Sequence, residues 1–201
     1  MAGTYVTTGE ARLSYTDLLV PVARNPGDEP KYSVTVLIPK HDTATKAALD
    51  NAIEAAIADG TARLWGGTRP PRIDTCVHDG DGGRPSDGMP YGTECHGHWV
   101  FTASSKYPPE IVDTQMQPII SVGEIYSGMY GRVAINFYPY NNQKKGIGCG
   151  LNCVQKTRDG ESLVSRISAN EAFGAWSAPA AAPFNTAPSA APSNPVPGFT
   201  W

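Results

Sequence analysis

The 201-residue sequence predicts a mainly β domain with one substantial helix, and three observations carry that expectation. Gly and Pro are abundant, at 21 and 18 residues, which favours many turns between short strands over a helical bundle. Several segments alternate apolar and polar residues with a period of two, whereas a single segment repeats with the period of a helix. A hydrophobic content of 40% at this length suffices for one core.

Thr4 to Tyr15 reads as the first strand, with a bulge expected at Gly9. Lys31 to Lys40 (KYSVTVLIPK) is the second, with Tyr32, Val34, Val36 and Ile38 on one face, Ser33, Thr35 and Leu37 on the other, and Pro39 ending it. A helix then starts from Asp42 or Thr43 as N-cap and is expected to stop at Gly60. Its Leu49, Ile53 and Ile57, flanked by Ala48, Ala52 and Ala56, form one narrow packing stripe. From Gly66 to Gly97 no period is sustained, and a structureless stretch of that length implies a functional or protective role. Three more strands follow, His98 to Ser105, Met129 to Tyr140 and Gly146 to Lys156, the last two joined by a hairpin loop at Asn141 to Lys145. Five strands, one intercalated helix and long, unequal loops suit a Greek-key barrel of the OB type, although an α+β sandwich would produce the same string of elements.

Composition divides the chain into a folded body, residues 1–176, and a tail, residues 177–201. The tail contains no Asp, Glu, Lys, Arg or His, so all 16 basic and 19 acidic residues lie upstream. Dominated by Ala, Pro and Ser, it reads as a flexible segment ending in the aromatics Phe199 and Trp201. No signal peptide is legible and no apolar run approaches the ~20 residues of a membrane span, so a soluble, cytoplasmic protein is expected. Its four cysteines then read as reduced thiols. A net charge of −3 and a pI near 5.8 argue against a broad basic surface that wraps duplex DNA; a narrow basic track remains compatible with them.

The strand from Met129 to Tyr140 separates into a core face of Val133, Ile135 and Phe137 and a second face of Tyr130, Arg132, Ala134, Asn136, Tyr138 and Tyr140, followed by Lys144 and Lys145. Aromatics interleaved with cations are what a single-strand groove requires, because stacking one base on a ring contributes ~1–3 kcal/mol whatever the base. Cross-strand pairing of tyrosines, or a covering helix, explains the same face equally well. Arg12, Lys40, Trp65, Lys106, Tyr107 and Lys156 are further candidates, with Trp65 either a loop platform or a core plug.

The segments GEARLSYTDLL, KYSVTVLIPK, HDGDGGRPSDG, FTASSK, VDTQMQPI, EIYSGMYGRVAINFYPYNN and GIGCGLNCVQKTRDGE, in order from about Thr8 to Phe173, resemble those of a tailed-phage single-stranded DNA-binding protein family. Its members are similar to the OB-fold proteins of phage replication. The resemblance implies an OB fold, binding of single-stranded DNA without sequence preference, and protection of strands during replication and recombination in the cytoplasm of the infected bacterium. Proteins of this function often end in an acidic tail with a terminal aromatic. Here the aromatic remains and the acids are absent, so docking of phage or host replication proteins through Phe199 or Trp201 is retained and electrostatic competition by the tail is not. A homodimer is compatible with the sequence.

Other chemistries leave weaker traces. Cys76, His78, Cys95, His96, His98, Cys149 and Cys153 include zinc-ligand types but no CxxC pair, with Cys149 and Cys153 expected on one strand face. Asp79 and Asp81 hint at a calcium loop, yet the position of the bidentate Glu is Pro90. Neither a metal nor another cofactor is expected. No phosphate-binding loop, nucleophile elbow or HExxH helix occurs, which argues against an enzyme. The alternatives left open are a Mg²⁺-dependent nuclease built on Asp79, Asp81, Asp87 and Glu94, and a structural or virion interaction protein.

Overall fold

The structure, a computed structural model, describes residues 3–142 and 144–164. In chain order the elements are β1 (Tyr5–Thr7), β2 (Ala11–Val22), β3 (Lys31–Pro39), α1 (Thr43–Arg63), β4 (His78–Asp79), β5 (His98–Ser105), β6 (Glu110–Val112), β7 (Tyr130–Asn141) and β8 (Lys145–Arg158). Single 3-10 turns lie at Thr93–Cys95 and Val122–Glu124. The five long strands close on themselves in the order β2-β3-β5-β8-β7 and back to β2, which is the predicted five-stranded OB-type barrel.

Closure is uneven. The antiparallel β7–β8 ladder pairs along the whole of β7 from Tyr130 to Asn141, whereas the parallel β5–β8 contact is the single pair Ser104 and Gly150. Beyond that pair the strands diverge, and residues 74–79 fill the gap. Asp74 bridges Gly146 on β8, while β4 pairs with Val100 and Trp99 of β5. At the other end β6 takes over the pairing with β8 from Cys153 to Gln155. The stretch expected to be structureless is therefore partly a seam filler.

The first expected strand is two. Gly9 separates β1 from β2 because its N–H donates to Thr45 Oγ1 of α1 at 2.9 Å, which draws the chain out of the ladder. A Cβ at this position would lie 2.9 Å from the same oxygen. The bulge comes later, between Ser14 and Asp17, where Tyr15 has a φ of 47°. β2 then continues to Val22.

Val34, Val36, Ile38, Phe101, Ala103, Val133, Ile135, Phe137, Ile147, Leu151 and Val154 fill the barrel. The helix closes one end of it. Asp42 is the N-cap, accepting from Thr45 N at 3.0 Å, and Leu49, Ala52, Ile53, Ala56, Ile57 and Gly60 are its buried stripe. α1 runs through Gly60 to Arg63 instead of stopping there, because Gly60 is a packing residue: a Cβ on it would lie 2.6 Å from Pro139 Cβ and 3.0 Å from the Trp65 ring. Trp65 is buried against this point and its indole N–H donates to the Tyr140 carbonyl at 3.3 Å, so it is the core plug and not an exposed platform. Trp99 is half-buried, packed on the core with the Lys46 and Lys40 ammonium groups 4.5 and 5.2 Å from its ring centroid. No helix among the described residues is long and apolar enough to cross a membrane.

Gly60→Ala tests this packing, since Ala improves intrinsic helix propensity by about 1 kcal/mol. Overpacking is expected to prevail and lower the unfolding free energy by about 1–3 kcal/mol in a denaturant titration. Unchanged or increased stability would show that the helix and Pro139 are not in tight contact.

Candidate nucleic-acid interface

Ladder register determines which outward side chains stand side by side. Across the barrel, Asp17, Ser33, Ser104, Gly150, Asn136 and Tyr5 are successive partners on β2, β3, β5, β8, β7 and β1. A second row runs through Ser14, Thr35 and Thr102, and resumes beyond residues 74–79 at Gly148 and Tyr138. With adjacent strands about 4.8 Å apart, the first row spans roughly 24 Å perpendicular to the strands. Between Asp17 and Asn136 its side chains are only serine and glycine. The floor is hydroxylic: Thr35 and Thr102 share a 3.0 Å hydrogen bond, and Ser33 donates to Asp17 at 3.3 Å while accepting from Arg24 at 2.9 Å.

Two adjoining cavities, of about 310 and 470 Å³, lie over these rows and share Arg24 and Thr102 in their lining. One wall is the β2–β3 connection, with Arg24 beside Asp17 and Glu29 ion-paired to Lys106. The other belongs to the long segment after α1, where Tyr91 and Cys95 pack on the outward pair Leu37 and Val100, and Arg84 is held by Asp87. Tyr15, 61% exposed, stands in this groove, and Tyr107, 79% exposed, at the end of β5.

The second wall is fixed electrostatically. Lys40 bridges Asp79 and Asp81, and Asp81 also accepts from Gly97 N at 3.0 Å and contacts His96 Nδ1 at 3.0 Å. The Lys40 ammonium holds both carboxyls below their usual range. Gly80 permits the close approach, because a Cβ there would meet the His98 carbonyl at 2.8 Å.

The tyrosine face read from sequence is present on β7, and most of it lies across β8. Asn136, Tyr138 and Tyr140 are the cross-strand partners of Gly150, Gly148 and Gly146, and a Cβ at Gly148 would lie 2.6 Å from the Tyr138 ring. Tyr138 remains 44% exposed, and burial pushes the Tyr138 and Tyr140 phenols above their ordinary value. Tyr130 is covered by the Arg158 guanidinium, 3.5 Å from its ring centroid and itself bonded to Glu10. Arg132 donates to the Thr8 carbonyl at 3.1 Å, and Arg12 to the Glu161 carbonyl at 3.0 Å with its Nε buried and unpartnered. Lys144 and Lys145 lie at the β7–β8 turn beside Asp74, while Lys156 is held by Asp159 and Glu124. Tyr138, Asn136, Lys106 and Tyr107 are thus at or near the rows; Trp65, Tyr130 and Arg132 are engaged elsewhere. Phe199 and Trp201 lie outside the described residues.

Tyr15, Arg24, Lys31, Arg84, Tyr91 and the serine–threonine floor, none of them among the sequence candidates, also line this groove. The available signal was the run Ser33, Thr35 opposite Thr102, Ser104, on strands that were recognised but not paired in register. The metal and carboxylate candidates do not converge. Cys76 packs beside Cys149, whose thiol is held well above its usual value by that contact and by burial. A bulge between Ala134 and Ile135 of the β7–β8 ladder puts Cys153 on the outer face, opposite Ala134, and leaves Cys149 in the core, so the two do not share a face. Asp87 is on Arg84, Glu94 beside Cys95, and no group of three potential metal ligands occurs among the described residues.

Comparison with known proteins points one way. The family described as Enterobacter phage Enc34, ssDNA-binding protein, matches residues 4–182. The single-stranded DNA-binding protein of bacteriophage Enc34, solved in complex with ssDNA, is similar at a TM-score of 0.68 and 28% identity, over 80% of this chain and 90% of that one. Protein p50 of Acyrthosiphon pisum secondary endosymbiont phage 1 is 28% identical over 170 residues, which are 79% of this chain and 85% of that protein. The bacteriophage T7 single-stranded DNA-binding protein gp2.5 shares the fold, with a TM-score of 0.52 at 17% identity over 84% and 99% of the two chains.

The acidic lock makes a pH prediction. Carboxyls depressed in the folded state contribute stability above their unfolded pKa of about 3.9 and lose it as pH falls toward the folded values. Protection of the Gly97 amide in hydrogen exchange, corrected for intrinsic rate, should be constant from about pH 8 to 5 and fall only below about pH 4. Loss of protection already above about pH 5 would show that these two carboxylates do not hold the wall.

Proposed function

This chain belongs to the family of the Enterobacter phage Enc34 single-stranded DNA-binding protein, and we propose that it binds single-stranded DNA without sequence preference along the serine–glycine rows of its barrel. It is a binding protein and not an enzyme, and it protects and organises strands during phage DNA replication and recombination inside the infected cell. The observation that carries the placement is the row from Ser33 through Ser104 and Gly150 to Asn136. It offers a floor without bulky side chains, perpendicular to the strands, with exposed tyrosines at its margins.

Bases stack on Tyr15, Tyr107 and Tyr138, whose rings offer a π-face and no sequence-reading edge. Phosphates on the rows meet Arg24, Lys31, Arg84 and Lys106. Each of Arg24, Arg84 and Lys106 already faces a carboxylate, so a phosphate replaces an existing ion pair instead of meeting a free cation. That exchange lowers the electrostatic gain per contact and leaves more of the affinity to stacking.

Tyr107→Ala and Tyr138→Ala should each weaken binding about tenfold, and by similar factors for oligo-dT, oligo-dA and oligo-dC, in an anisotropy titration. Ile120→Ala, at an exposed residue off the rows, should leave it unchanged. A loss confined to one base, or no loss at either tyrosine, would refute stacking at these positions.

A further inference from the structure

Beyond Tyr140, at the β7–β8 turn, lies an open pocket of about 530 Å³ lined by Trp65, Pro70, Pro71, Asp74 and the cations Arg69, Arg72, Lys144 and Lys145. Its two walls are one unit, because Asp74 N donates to the Lys145 carbonyl at 3.1 Å and Ile147 N to the Asp74 carbonyl at 2.8 Å. The floor is apolar, from the prolines and the edge of the buried indole, while the rim is cationic. Arg69 is fixed by a two-pronged bond to Glu54 at 2.8 and 3.0 Å. Arg72 and Lys144, with side chains 89% and 76% exposed, each stand 3.7 Å from Asp74, too far for a tight pair. Four positive groups against two carboxylates, in a protein of net charge −3, are a local reversal of sign.

We infer that this pocket holds one nucleotide unit, with the base on Pro70 and Pro71 and the phosphate between Arg72 and Lys144. The inference rests on the proposed single-strand binding and extends it: the nucleotide belongs to a strand that has crossed the rows. Gly146, the β8 partner of Asp74, lies two residues from Gly148, about 7 Å along the strand. A strand leaving Tyr138 therefore reaches the pocket over Tyr140 without crossing the barrel again. Flat apolar surface beside paired cations suits a base with its phosphate, and neither group offers a base-edge pattern to read.

The test compares the wild-type chain with R72A/K144A on labelled oligo-dT of roughly 6 and roughly 20 nucleotides, lengths that bracket the site sizes of OB folds. Expected are at least a fivefold loss for the longer oligomer, a log–log salt dependence shallower by about 1.4 for two lost phosphate contacts, and unchanged binding of the shorter one. Equal losses on both lengths, or none on either, overturn the inference. Binding of thymidine 5′-monophosphate to the wild type and not to the variant, with long-oligomer affinity unchanged, overturns it in favour of a free-nucleotide site. Failure of the wild type to bind even the short oligomer refutes the single-strand reading itself, a result distinct from any defect of the double variant.

Discussion

The barrel closes on one parallel pair, Ser104 with Gly150, and much of the molecule follows from how little that contact supplies. β5 and β8 cannot remain in register beyond it, so residues 74–79 enter the seam on one side and β6 replaces β5 on the other. Closure also requires close approach on the outside, where the β8 positions facing Asn136, Tyr138 and Tyr140 are glycines. A glycine in a strand leaves its backbone bare, and a cross-strand ring lying over it restores cover. The small side chains of the rows and the flat tyrosines beside them are therefore two results of the same constraint on closure.

Electrostatics plays a subordinate role in that arrangement. Most cations of the described residues are committed: Lys40 locks the wall segment, Lys46 and Arg63 pair along α1, and Lys156 and Arg158 tie the end of β8 to its surroundings. Exposed pairs of this kind contribute little to stability, and those in the groove are available for exchange with phosphate. A protein of net negative charge can then hold a polyanion through ring faces and a few exchanged ion pairs, and its affinity should be less salt-sensitive than that of a basic protein.

Local pattern revealed the elements with strong periodicity. β3 alternates as read, Asp42 is the N-cap, and β7 has the core face Val133, Ile135 and Phe137. What escaped depends on pairing between distant segments. Gly60 resembles a helix stop until Pro139 is placed against it, and Gly9 resembles a bulge until Thr45 is seen to accept its N–H. The extra residue in β8 that turns Cys153 outward has no local signal at all. The same limit applied to the interface. Tyrosines on a single strand were conspicuous, whereas a floor made of one or two small residues from each of four strands exists only once the register is known.

The most direct test of that floor is photo-cross-linking with oligonucleotides carrying 5-iodouracil at each position in turn, with adducts located by mass spectrometry. The account predicts adducts at Tyr15, Tyr107 and Tyr138, aromatic residues bordering the rows. Adducts confined to Tyr130 and the exposed segment around Ile120, with none at those three tyrosines, would place the strand on another face of the barrel and contradict it.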